Sequence, residues 1–240
     1  MLMILRRLTY DFKLLKGDPM LYMIMAVPFI LWALMQFLIP WIIELSLENW
    51  DLDLTAYYKQ AGTFFLMLIP MMIGMVYGFI LLDERDGGII TAISVTPTGK
   101  LGYLSMRLGV PIFLSLVAIL LFQLVLDLRD NLDFLQLIVI SLIVSSQSLL
   151  LLLLLGAFAD NKVMGMAISK GFGILLIGPL LDYILPGAIK WTGAYSPLFW
   201  ASRALMAESN GNFWLYTAIT IGFQSLLLWF LFSKFRARSD

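Results

Sequence analysis

Six runs of this chain are each long and apolar enough to cross a bilayer, and that pattern leaves almost no soluble fold open to it. An α-helix needs about 20 apolar residues to span roughly 30 Å of hydrocarbon. Residues 20–43, 61–82, 108–126, 134–159, 163–185 and 213–233 meet that need. The fifth run is interrupted, because Lys170 and Asp182 flank a charge-free stretch of only residues 171–181. That stretch holds Gly171, Gly173, Gly178 and Pro179, which favour a kinked or broken helix supported by its neighbours. Composition agrees: 61% of the residues are hydrophobic and 13% are charged, against about 25% charged in soluble domains. With a mean hydropathy of +0.91, the apolar surplus must be buried in lipid. The expected fold is all-α and integral to the membrane, with six spans in a single domain over residues 1–240.

Several chemistries are excluded. Sixteen Lys and Arg balance sixteen Asp and Glu, so there is no basic field to hold nucleic acid. The chain has no cysteine and no histidine, which removes disulfides, the usual haem and zinc ligands and the commonest general base. No catalytic or metal-ligating residue is assigned. A G-x-x-x-x-G-K-[ST] loop is missing as well, so any ATP used must be bound by another subunit. If the amino terminus is inside, twelve of the sixteen basic residues fall inside and Lys59, Arg129, Lys190 and Arg203 outside. The positive-inside rule therefore predicts cytoplasmic termini. The first apolar run is longer than a signal-peptide core and lacks a small-x-small exit, so it is expected to stay in the protein.

Two flanking segments carry more than topology. In residues 1–19, Ile4, Leu5, Leu8, Phe12 and Leu15 fall on one helical side, away from Arg6, Arg7 and Lys13. That pattern predicts an amphipathic helix lying in the interface. The loop of residues 84–100 begins Glu84-Arg85-Asp86, continues through Gly87-Gly88 to Ile89, Ile90 and Ile93, and stops at Thr96-Pro97. Three isoleucines in a loop imply burial against the membrane surface or a partner domain. Gly88 is expected to serve a tight turn or a close approach, and Glu84 to form an exposed ion pair.

The run Glu84-Arg85-Asp86-x-Gly88-x-Ile90-x-x-Ile93-x-Val95-Thr96-Pro97 resembles the loop of ABC-2-type (type V) ABC exporter permeases, of the drug- and antibiotic-export kind. That family carries a pattern close to E-R-E-x-G-T-x-E-x-L-x-x-T-P between its second and third spans. Here Asp86 replaces Glu, Ile89 the usual Thr, and Thr91 the second Glu. The resemblance implies that Glu84, Arg85, Asp86, Gly88, Ile89, Ile90, Ile93, Thr96 and Pro97 form a coupling helix docking on an ATP-binding subunit. It implies two copies of that subunit, holding ATP and Mg, with no cofactor bound directly by the permease. A second permease copy or a homologous permease would complete the path.

The layout agrees with the resemblance from end to end. Tyr195-Ser196-Pro197-Leu198-x-Trp200-x-x-Arg203-x-Leu205 is similar to the family's segment between spans five and six. Ser196 suits an N-cap and Pro197 a first helical turn, with Asn210-Gly211 expected to end the helix. The family implies a short re-entrant helix there; an interfacial helix with an aromatic belt would give the same sequence. In span two, Met67, Met71 and Met75 recur on one face beside Tyr77, and Gly74 and Gly78 form a small-xxx-small pair. The methionines suit either a path for hydrophobic cargo or helix packing. Ser141, Ser145 and Ser148 in span four read as packing groups. Asp182 is either a charge reaching the headgroups or a proton site.

The reading is an exporter permease in a bacterial or archaeal plasma membrane, moving a hydrophobic or amphiphilic cargo such as a drug, an antibiotic peptide or a lipid-like molecule. The rival classes are an ion-coupled secondary transporter, which needs an ion-binding group near the midplane, and a non-transporting membrane scaffold.

Overall fold

The computed structural model describes residues 17–89, 92, 99–126 and 132–239. Residues 1–16, which carry the expected amphipathic helix, and the loop residues Ile90, Ile93, Thr96 and Pro97 lie outside the described residues. Among the described residues all regular structure is helical: α1 (Pro19–Trp50), α2 (Thr55–Asp86), α3 (Gly99–Leu126), α4 (Phe134–Phe158), α5 (Lys162–Ile184), α6 (Pro197–Leu205) and α7 (Asn210–Ser239). Six of them are apolar and long enough to cross a membrane; α6 is the short exception. Each of the six apolar runs read from the sequence lies almost wholly within one of these helices, and several helices continue into stretches expected to be loops.

α2 is the hub. From Leu66 to Leu82 nearly every side chain is buried, and α1, α3, α4 and α5 all pack on it. The closest approach is to α4 and is made possible by glycine. A Cβ on Gly74 would stand 2.9 Å from the Cα and carbonyl carbon of Ser148, and one on Gly78 would stand 2.6 Å from Leu155 Cδ1. Small residues let two backbones approach, and in lipid that dispersion contact replaces the missing hydrophobic drive. The serines of α4 fit the same purpose. Ser148 and Ser145 donate to carbonyls in their own helix, while Ser141 also donates to Gln123 of α3 at 2.9 Å. α1 and α7 leave many large apolar side chains exposed, among them Phe29, Phe37, Leu226 and Trp229, as expected of lipid-facing helices.

α5 is broken where its glycines predict. It consists of Lys162–Phe172 and Ile174–Ile184 with Gly173 between them. Pro179 lacks the N–H that would have bonded the Leu175 carbonyl one turn back; the Ser196 hydroxyl donates to that carbonyl at 2.6 Å. Gly178 and Gly193 press together, a Cβ on Gly178 standing 2.9 Å from the Gly193 carbonyl oxygen. This seats the 3₁₀ stretch Gly187–Tyr195 against α5 and aims the chain into α6.

Candidate functional site

The starts of α1, α3 and α5 and the ends of α2, α4 and α7 gather at one end of the bundle, where most of the described charges meet. Glu84, in the last turn of α2, is 2% exposed and faces Arg107 of α3, which is 1% exposed. Arg107 Nη2 lies 2.6 Å from Glu84 Oε2, and the Tyr103 hydroxyl donates to the same carboxylate oxygen. The guanidinium also stacks over the Tyr77 ring, 5.5 Å from its centroid. This corrects the sequence expectation for Glu84, whose ion pair is buried and not exposed. The reason is that α3 begins at Gly99, two turns before the apolar run, so Arg107 lies inside the helix bundle. Neither Arg107 nor Tyr103 was legible as a site residue, although their i, i+4 spacing puts them on one helical face.

Arg85, next in sequence, points the other way. It donates to the Ala159 and Asp160 carbonyls at 2.7 and 2.9 Å and reaches the Gly156 carbonyl at 3.4 Å. Those carbonyls at and beyond the C-terminus of α4 want a cation. Arg238 of α7 serves the same helix end, donating to the Ala157 carbonyl at 2.9 Å and pairing with the Asp160 carboxylate. Lys162 bridges Asp18 and Asp83 at 2.6 and 2.7 Å, tying α5 to the start of α1 and the end of α2. The hydrogen bond from Lys162 holds the Asp18 carboxyl below the usual range, helped by the N–H groups of Leu21 and Met20 that it caps. Asp86 is exposed, and Ile89 is half-buried. Gly88 has φ of +67° with open space where a Cβ would stand. The turn requires glycine there; a close approach does not.

The methionines of α2 divide. Met67, Met71 and Tyr77 are buried in the core of this chain. Met75 is half-buried and faces a cleft of about 600 Å³ between α1, α2 and α5, shared with Met20, Met23, Ile24, Met166, Ser169 and Lys170.

At the opposite end, Ser196 caps α6 by accepting from the Leu198 N–H at 3.2 Å, and Pro197 opens the helix. Seven of its nine residues are buried, because α6 is wedged against α7 and the second half of α5. Arg203 leaves its C-terminal turn as a two-pronged clamp on Asp182, 3.0 Å from Nε to Oδ2 and 2.6 Å from Nη2 to Oδ1. Its guanidinium lies 4.1 Å from the Trp191 ring centroid and 4.7 Å from that of Phe199. Trp200 donates to the Ala194 carbonyl at 3.0 Å and packs against Tyr216. A polar pocket of about 480 Å³ opens beside this clamp, reached by Lys190, Glu208 and Gln60. The clamp binds the Asp182 carboxylate on both oxygens, which does not suit a free proton carrier. Asn210-Gly211 opens α7 and does not close α6, correcting the sequence expectation. Ser209 accepts from the Asn212 N–H at 3.3 Å, and Gln136 of α4 holds the Asn210 side chain at 2.5 Å.

Residues 11–232 match the family described as fluoroquinolones export permease protein Rv2686c-like. The chain is 28% identical over 226 residues to the fluoroquinolones export permease protein MT2760 of Mycobacterium tuberculosis strain CDC 1551, covering 92% of this chain and 89% of that protein. The same figures hold for the fluoroquinolones export permease protein Rv2686c of strain H37Rv. No solved structure matches the chain.

Proposed function

The chain belongs to the Rv2686c-like family of fluoroquinolones export permease proteins, and from that premise we propose that it is one of two membrane subunits of an ATP-driven ABC exporter. Two copies of a separate ATP-binding subunit hold ATP and Mg and dock at the charged end of the bundle. A second permease copy or a homologue supplies the other half of the path. The protein lies in a plasma membrane with the charged end, and so both termini, in the cytoplasm. The cargo is an amphiphilic aromatic antibiotic of the fluoroquinolone class, as the names of the relatives suggest.

The observation that carries this reading is the buried Glu84–Arg107 pair. The loop leaves α2 two residues after Glu84 and enters α3 eight residues before Arg107, and the ion pair between them, sealed from water, ties the two helices together. Force applied to that loop therefore reaches α2 and α3 as a unit, and α2 is the helix on which α1, α4 and α5 pack. A loop serving only as a connector would have no need of a buried charge pair, whose desolvation costs several kcal/mol per ion. The Asp182–Arg203 clamp weighs against an ion-coupled mechanism.

The test is the loop's apolar face. With Ile93→Asp, an unpaired charge would enter a desolvated contact with the ATPase. The permease should reach the membrane but retain less co-purified ATPase and export no drug. Wild-type stoichiometry and turnover in that variant would sink the coupling reading.

A further inference from the structure

The cleft between α1, α2 and α5 joins a single cation to a methionine wall. Lys170 lies eight residues beyond Lys162 on α5, and Met75 lies eight residues before Asp83 on α2. Lys162 and Asp83 meet at 2.7 Å. At 1.5 Å per residue, Lys170 and Met75 therefore both sit about 12 Å along the bundle from the charged end. An ammonium at such a depth is costly and points to a function by default. Arg85, Arg107, Lys162 and Arg238, on the spanning helices at this end, are all engaged. Lys170 is exposed to the cleft and forms no ion pair among the described residues. Among the described residues the one other polar group on the wall is the Ser169 hydroxyl, which donates to its own helix at the Gly165 carbonyl. The remaining wall is Met20, Met23, Ile24, Met75 and Met166. Such side chains adapt to apolar bodies of varied shape.

We propose that this cleft binds an anionic amphiphile, with its acid group on Lys170 Nζ and its apolar body against the four methionines and Ile24. A volume of about 600 Å³ lies within the usual range for a small-molecule site. Two sources share this chemistry: an amphiphilic acid taken up as cargo, and an anionic lipid of the adjacent leaflet. That the site loads cargo rests on the exporter reading; that it binds the amphiphile does not.

The experiment uses the permease with its co-purified ATPase in nanodiscs of phosphatidylcholine, with a dansyl-labelled long-chain fatty acid as probe and its methyl ester as control. The wild type should bind the acid saturably and at least tenfold more tightly than the ester. Lys170→Gln should abolish that preference by weakening the acid alone, and Lys170→Arg should keep it. Bound ATPase per permease should be the same in all three, so failure of the exporter reading would register separately. Discs containing one-third phosphatidylglycerol identify the source. Competition in the wild type but not in Lys170→Gln marks a lipid site, and unchanged probe affinity marks a cargo site. Equal binding of acid and ester by the wild type, or acid binding by Lys170→Gln at wild-type strength, would overturn the proposal.

Discussion

Arg107 and Glu84 stand on two helices joined by a loop and meet at 2.6 Å with both side chains sealed from solvent. The pair closes the gap the loop leaves open. Tyr103 donates to the same carboxylate and Tyr77 lies under the guanidinium, so the charges are held from several directions. Such an arrangement has one geometry, and a motion of either helix end must carry the other.

Removing one partner leaves the other charge buried and alone, which is costlier than removing both. Arg107→Met and Glu84→Leu should each destabilise the permease by about 3–5 kcal/mol, and the double variant should recover most of that loss. Thermal unfolding in detergent reads the energies. If the pair transmits force, drug-stimulated ATPase turnover should remain low in the double variant although its stability returns. Full turnover there would show the pair to be structural only.

The two glycines of α2 should differ in consequence. A Cβ on Gly74 would collide with the backbone of Ser148, which cannot move without separating α2 from α4. A Cβ on Gly78 would meet most closely Leu155 Cδ1, the far end of a side chain that can change rotamer. Gly74→Ala should therefore cost about 1–3 kcal/mol, the usual range for overpacking, and Gly78→Ala clearly less. Comparing the two by chemical or thermal unfolding decides it; an equal or reversed order would mean that the helices separate more easily than the contact suggests.

The spans were legible because a bilayer imposes one long-period requirement on sequence, and each run of apolar residues declares it directly. Gly173 declared the break in span five in the same local way. The charged ends were not legible by such means. Arg107 falls just outside the apolar run, which begins at Leu108, yet its partner is set by how α3 lies on α2. Arg203 and Asp182 stand 21 positions apart, and only the turn built by Gly178, Gly193 and Ser196 brings them together. Charges pair by tertiary geometry, which periodicity does not encode. The methionines show the same limit: one stripe by spacing, but Met75 alone faces a cleft.

The clamp at the far end gives a substitution test. Arg203 grips both oxygens of Asp182 and stacks on Trp191 and Phe199; lysine supplies one point charge and no planar face. Arg203→Lys should cost about 1–3 kcal/mol and loosen the 3₁₀ stretch Gly187–Tyr195 against α6. Faster hydrogen exchange across that stretch, with the charged end unaffected, is the expected pattern. Unchanged exchange would mean that the glycine contact and the Ser196 bond hold the segment without the clamp.

Topology can be tested without background, because the chain contains no cysteine. The basic residues gathered at one end, Arg85, Lys162, Arg236 and Arg238 among them, favour that end for the cytoplasm. Asn49 lies at the other end, exposed in the last turn of α1. A cysteine replacing Asn49 should react with a membrane-impermeant maleimide on intact cells. Cysteines replacing Thr98 or Ser239 should react only after the membrane is opened. Because α1 to α5 and α7 alternate direction, one inverted result could not be confined to its own segment. Labelling of the Thr98 variant from outside would turn the whole bundle over and put the loop of residues 84–100, proposed to couple, beyond the reach of any cytoplasmic ATPase.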